Sequence, residues 1–168
     1  MKRKIYYLLS FSVLLLITSC GPTVQDAIDY NDKIIAIETS VFEKINKLES
    51  EFTSYDPIKI EPAWNDAKAQ LETSITELEK VEAFDGKTEF KDQTMELFKT
   101  FQKQVGTEYL EMLNIYKLPA DKYTEIEENR NNELLKKIDN EYQAAFNKFT
   151  DVQNKFAAKY GFELKAVE

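Results

Sequence analysis

Residues 62–83 read PAWNDAKAQLETSITELEKVEA. Trp64, Ala67, Leu71, Ser74 or Ile75, Leu78 and Val81 recur at spacings of three and four. That period lines one face of an α-helix and, held over several turns, makes a heptad-like seam for a partner helix. The residues between them are mostly Glu, Lys, Gln and Thr, suited to a solvated face. Pro62 fits a first helical position, where a missing N–H costs nothing. Asp85-Gly86 follows as a stop, because Gly readily takes the left-handed cap conformation. The stretch therefore predicts a helix over 62–83.

The same period continues on both sides. From 24 to 54, Ile28, Ile34, Ile35, Val41, Phe42, Ile45, Leu48 and Phe52 form a broad stripe, and Glu43 with Lys47 makes a favourable i,i+4 pair. From 88 to 118, Thr88 is a candidate N-cap. Phe90, Thr94, Leu97, Phe98, Phe101, Val105, Tyr109, Met112 and Tyr116 carry that stripe. Gly106 lies inside it at a cost of about 1 kcal/mol relative to Ala, and a close helix crossing would be a reason to keep it.

From 119 to 160 the stripe runs Tyr123, Ile126, Leu134, Ile138, Tyr142, Ala145, Phe146, Phe149, Val152, Phe156 and Tyr160. Gly161 supplies its C-cap, and Phe162 can fold back onto the last turn. Residues 129–132, Asn-Arg-Asn-Asn, interrupt this stripe as a kink or an overhang. At 1.5 Å per residue this helix would span about 60 Å against roughly 35 Å for 62–83, a mismatch for a simple bundle. No alternation of period two is evident. The connections are short, so the expected fold is all-α, an antiparallel up-down four-helix bundle.

The first residues obey another pattern. Lys2, Arg3 and Lys4 precede an apolar run from Ile5 to Ile17, then Thr18, Ser19 and the single cysteine, Cys20. A basic start, a short apolar core and small residues describe a secretory signal, too short to span a bilayer. Ile17-Thr18-Ser19-Cys20 resembles the lipobox of bacterial lipoprotein precursors. The resemblance implies cleavage before Cys20 and lipid on its sulfur. Residues 1–19 are then a signal peptide, 20–23 a lipidated cysteine and tether, and 24–168 the helical domain. The membrane partner is engaged through the lipid on Cys20. By resemblance to lipoprotein sorting signals, Gly21 in place of Asp points to the outer membrane. The lipobox, the helical pattern and the terminal KYGFEL together resemble small uncharacterised surface lipoproteins of helical-bundle type, which implies no catalytic residue.

Removing 1–19 takes three of the 22 basic residues and none of the 30 acidic ones, leaving a balance of −11. Such a chain is not expected to bind nucleic acid, whose phosphates demand basic contacts. It contains no histidine. That excludes the Glu-x-x-His pattern of ferritin-like di-iron bundles, the usual haem ligation and zinc sites of Cys and His. Asp29, Asn31 and Asp32, and later Glu125, Glu127 and Glu128, lack EF-hand spacing and read as solvated faces. No phosphate loop or nucleophile elbow occurs, so neither cofactor nor enzymatic activity is expected.

Function is expected to be that of an envelope binding or structural module. The best candidate contact is SYDPIKIEPAW, residues 54–64, read as a loop with Tyr55, Ile58, Ile60 and Trp64 between prolines. Such residues either bind a protein or cap the core. The alternative is a carrier with an apolar pocket between helices, because periodicity does not distinguish a filled core from a hollow one.

Overall fold

The computed structural model describes residues 21–164. Among them all regular structure is helical apart from one isolated bridge between Phe84 and Lys87. The helices are α1 (Val24–Phe52), α2 (Pro57–Glu79), α3 (Glu89–Gly106), α4 (Glu108–Tyr116) and α5 (Glu125–Tyr160). None of these helices is long and apolar enough to cross a membrane. The signal segment and Cys20 lie outside the described residues.

α1 starts with a capping box. Thr23 Oγ1 accepts from the Asp26 N–H at 3.1 Å, and Asp26 accepts from the Thr23 N–H at 2.8 Å. α2 begins at Pro57, five residues before the expected start. Asp56 caps it by accepting from the Ile58 N–H at 3.0 Å, and Pro57 takes the first position. Pro62 therefore lies inside the helix. Its ring removes the hydrogen bond to the Ile58 carbonyl, and both residues are exposed, so water can replace the bond.

The expected helix over 88–118 is two helices. The break falls at Gly106–Thr107, where Thr107 leaves helical geometry with φ −127° and ψ −74°. The freed carbonyls find donors. Thr107 Oγ1 donates to the Lys103 oxygen at 2.8 Å, and Trp64 Nε1 reaches across from α2 to the Val105 oxygen at 2.7 Å. A Cβ built on Gly106 would meet nothing within 4 Å, so a close crossing does not explain this glycine.

α5 starts at Glu125 rather than Pro119. Thr124 and Glu127 form its capping box, and residues 117–124 are a turn. The helix runs unbroken through 129–132. Asn131 is buried against the Tyr123 hydroxyl at 3.3 Å, and Arg130 forks onto Glu111 of α4. Gly161 closes the helix in the left-handed conformation, φ 76°, as expected.

The packing is uneven. α1 is paired mainly with α2, and α5 mainly with α3, while α1 and α5 meet along far less of their length. Ala67, Leu71, Ser74, Leu78 and Val81 of the 62–83 seam are all buried, with Ile34, Val41, Ile45, Leu48 and Phe52 from α1. Full burial of each large apolar side chain contributes about 1.5–3 kcal/mol. Along α5 the stripe is buried at Leu134, Ile138 and Phe149 but only half-buried at Tyr142, Ala145, Phe146, Val152 and Phe156. Ile126, expected in that stripe, is 76% exposed.

Candidate functional site

Of the half-buried α5 residues, Tyr142 and Phe146 face α1, whereas Val152 and Phe156 line a separate hollow with Tyr30 and Phe90. Between α1 and α5, over the α3–α4 break, lies an open cleft of about 410 Å³. Phe42, Ile45, Asn46, Glu49 and Phe52 come from α1, and Leu135, Ile138, Asp139 and Tyr142 from α5. Phe101 and Gln104 of α3 and Tyr109 of α4 complete the lining. The volume falls in the range of small-molecule sites, about 300–1,000 Å³.

The aromatic wall is built by packing. Phe42 meets Phe101 edge-on at 5.3 Å between centroids, and Phe101 stacks on Tyr142 at 5.8 Å. These arrangements contribute about 0.5–1.5 kcal/mol each beyond area burial. The break at Gly106–Thr107 separates the two helices that supply Phe101 and Gln104 on one side and Tyr109 on the other.

Half of the lining residues carry polar groups: Asn46, Glu49, Gln104, Tyr109, Asp139 and Tyr142. Tyr109 is buried and donates to Glu49 Oε1 at 2.6 Å. Burial, with the adjacent Glu49 carboxylate, pushes the Tyr109 phenol far above its ordinary range. Tyr142 is also raised, by burial first and then by Glu38 and Glu49. Gln104 is completely buried. Its Nε2 donates to the Ile138 carbonyl at 2.9 Å, while Oε1 has no partner among the described residues. An orphaned buried acceptor costs about 1–3 kcal/mol.

The seam continues toward the ends of the helices as a second hollow of about 580 Å³, whose lining includes Ile28, Ile35, Glu38, Phe146, Phe149 and Phe162. Burial pushes the Glu38 carboxyl up to about 7. No cation pairs with it among the described residues.

The sequence-derived contact set divides. Tyr55 and Ile58 are exposed, at 69% and 82%. Ile60 is not available to a partner: it is completely buried, because the earlier start of α2 brings it into phase with Ala63, Ala67 and Leu71. Trp64 is half-buried, with its N–H committed to Val105. Residues 57–64 are helix, not loop.

Tyr55 instead belongs to another group at this end. It meets Tyr116 edge-on at 5.4 Å, and Tyr116 stacks on Tyr123 at 6.2 Å. Its φ of 55° is strained for a bulky residue. An apolar pocket between helices is the alternative reading of the sequence, but the sequence does not place it between α1 and α5. One available signal was Gln104, which falls in register with Leu97 and Phe101 on a core face. No family model, curated protein or solved structure matches the chain.

Proposed function

We propose that this chain is an envelope lipoprotein, anchored through Cys20 in the outer membrane, whose helical domain binds an apolar small molecule between α1 and α5. The anchor rests on the lipobox resemblance of residues 17–20. The ligand reading rests on one observation above the others: a 410 Å³ cleft walled by Phe42, Phe52, Phe101, Tyr109 and Tyr142.

The domain is read as an up-down antiparallel bundle, with the broken α3–α4 pair as its third rod. Pairings such as Lys44–Asp66, Trp64–Val105, Gln104–Ile138 and Asn31–Gln153 support that order. The test is a titration of the mature chain, residues 20–168, with the neutral dye N-phenyl-1-naphthylamine. Saturable fluorescence enhancement at one site, lost in Phe42→Ala/Tyr142→Ala with helicity retained, is expected. Absence of saturable binding would overturn the ligand reading.

A second reading is favoured by a separate observation. Four large apolar residues, Tyr55, Ile58, Leu118 and Ile126, are exposed on or beside the two turns at the end opposite the 84–87 turn. That tip suits a protein contact, for which Ile58→Asp/Ile126→Asp is the variant of choice. Ile60→Asp would bury a charge and unfold the chain instead. Loss of helicity in the Ile58/Ile126 variant would sink the tip reading.

A further inference from the structure

The charged groups of the cleft have a common sign. Glu49 and Asp139 bring carboxylates, and no Lys or Arg among the described residues contributes to the lining. Neither carboxylate has an ion-pair partner among the described residues. Tyr109 spends its proton on Glu49, so its oxygen offers only lone pairs to a ligand. Gln104 spends a donor on Ile138 and keeps an unpaired oxygen. Five aromatic rings complete the wall, and their faces carry negative quadrupole charge.

An anion placed here would meet two carboxylates and the ring faces. A neutral apolar molecule would gain nothing from the carboxylates. A cation bearing N–H groups answers both features: it is attracted by the carboxylates and stabilised over the rings. Glu38 adds a further carboxylate in the neighbouring hollow of the same seam.

We propose that the cleft selects an organic ammonium ion, a protonated primary or secondary amine carried on an apolar tail. The proposal rests on the cleft being a ligand site, and it deepens that reading by naming the ligand class. The tail would lie among Phe42, Phe101, Ile138 and Tyr142, and the ammonium head toward Glu49 and Asp139. Binding by this route is an equilibrium of contacts and involves no bond making or breaking.

The experiment uses three probes with one tail, 4-phenylbutylamine, 4-phenylbutanol and 4-phenylbutanoate. Each is titrated calorimetrically into the mature chain at neutral pH and near-physiological salt, and each is set against the neutral dye. The ammonium form is expected to bind about tenfold more tightly than the alcohol, and the carboxylate most weakly. Glu49→Gln/Asp139→Asn, at two exposed positions, should reduce that preference with the fold intact. Equal binding of amine and alcohol, with the dye still displaced, would overturn the ammonium proposal and leave the ligand site standing. Failure of the dye and all three probes to bind would overturn the site itself.

Discussion

The two seams that α1 makes, with α2 and with α5, differ in kind. Against α2, the helix is dry: Ile34, Val41, Leu48, Leu71 and Leu78 are buried to within about a percent. Against α5 it is open, with Phe42, Tyr142 and Phe146 half-buried around hollows of several hundred Å³. Both seams are made of apolar stripes of the same period. Small residues such as Ala63, Ala67 and Ser74 face the first and allow close approach. Rings fill the second and hold the helices apart. A dry seam supplies stability, and an open one leaves apolar surface for something else to cover.

Truncation should separate the two most strongly. Leu71→Ala or Leu78→Ala removes a side chain from a closed seam and is expected to cost about 3–4 kcal/mol, measured by urea unfolding. Phe42→Ala opens a wall that already faces a cleft and is expected to cost about half as much. Equal losses would mean that the α1–α5 seam is as tightly packed as the other.

Glu38 offers a pH handle on the open seam. The folded chain holds its proton up to about 7, whereas an unfolded Glu releases it near 4.3. The stability from that extra bound proton is whole below the unfolded value and is lost as pH rises through 7. Glu38→Gln remains neutral throughout. Its melting temperature should match that of the parent near pH 4.5 and exceed it by about 3–8 °C at pH 8, a difference of about 1–3 kcal/mol. A gap that does not widen with pH would show that Glu38 is fully solvated.

The smallest effects concern backbone. Gly106 has room for a methyl group and no positive φ, so Gly106→Ala should stabilise by about 0.5–1 kcal/mol. Tyr55, at φ 55°, should gain a similar amount on replacement by Asn, which tolerates that conformation. Calorimetric melting checks both. A destabilised Gly106→Ala would indicate that the break beneath the cleft requires glycine's freedom.

The dry seam was legible in residues 62–83 because burial there follows from period alone. The start of α2 was not, since Asp56-Pro57 and Pro62 are both sound openings and only the first comes with a capping carboxylate. That five-residue difference moved Ile60 from a supposed contact surface into the core. The Thr-x-x-Glu box at 124–127 was readable and marks the true start of α5 better than Pro119. The break at Gly106–Thr107 was foreshadowed by the glycine, but the Trp64 N–H that reaches the Val105 carbonyl there comes from another helix. The cleft was illegible for a deeper reason. Periodicity says which face of a helix is apolar, and says nothing of whether two such faces close.

The most direct test observes both seams at once, through methyl-labelled NMR spectra of the mature chain during titration with N-phenyl-1-naphthylamine. The account predicts saturable shifts of the Ile45 and Ile138 methyls, with Leu71 and Leu78 unmoved. Shifts confined to Ile58 and Ile126, or no saturable shift anywhere, would contradict it.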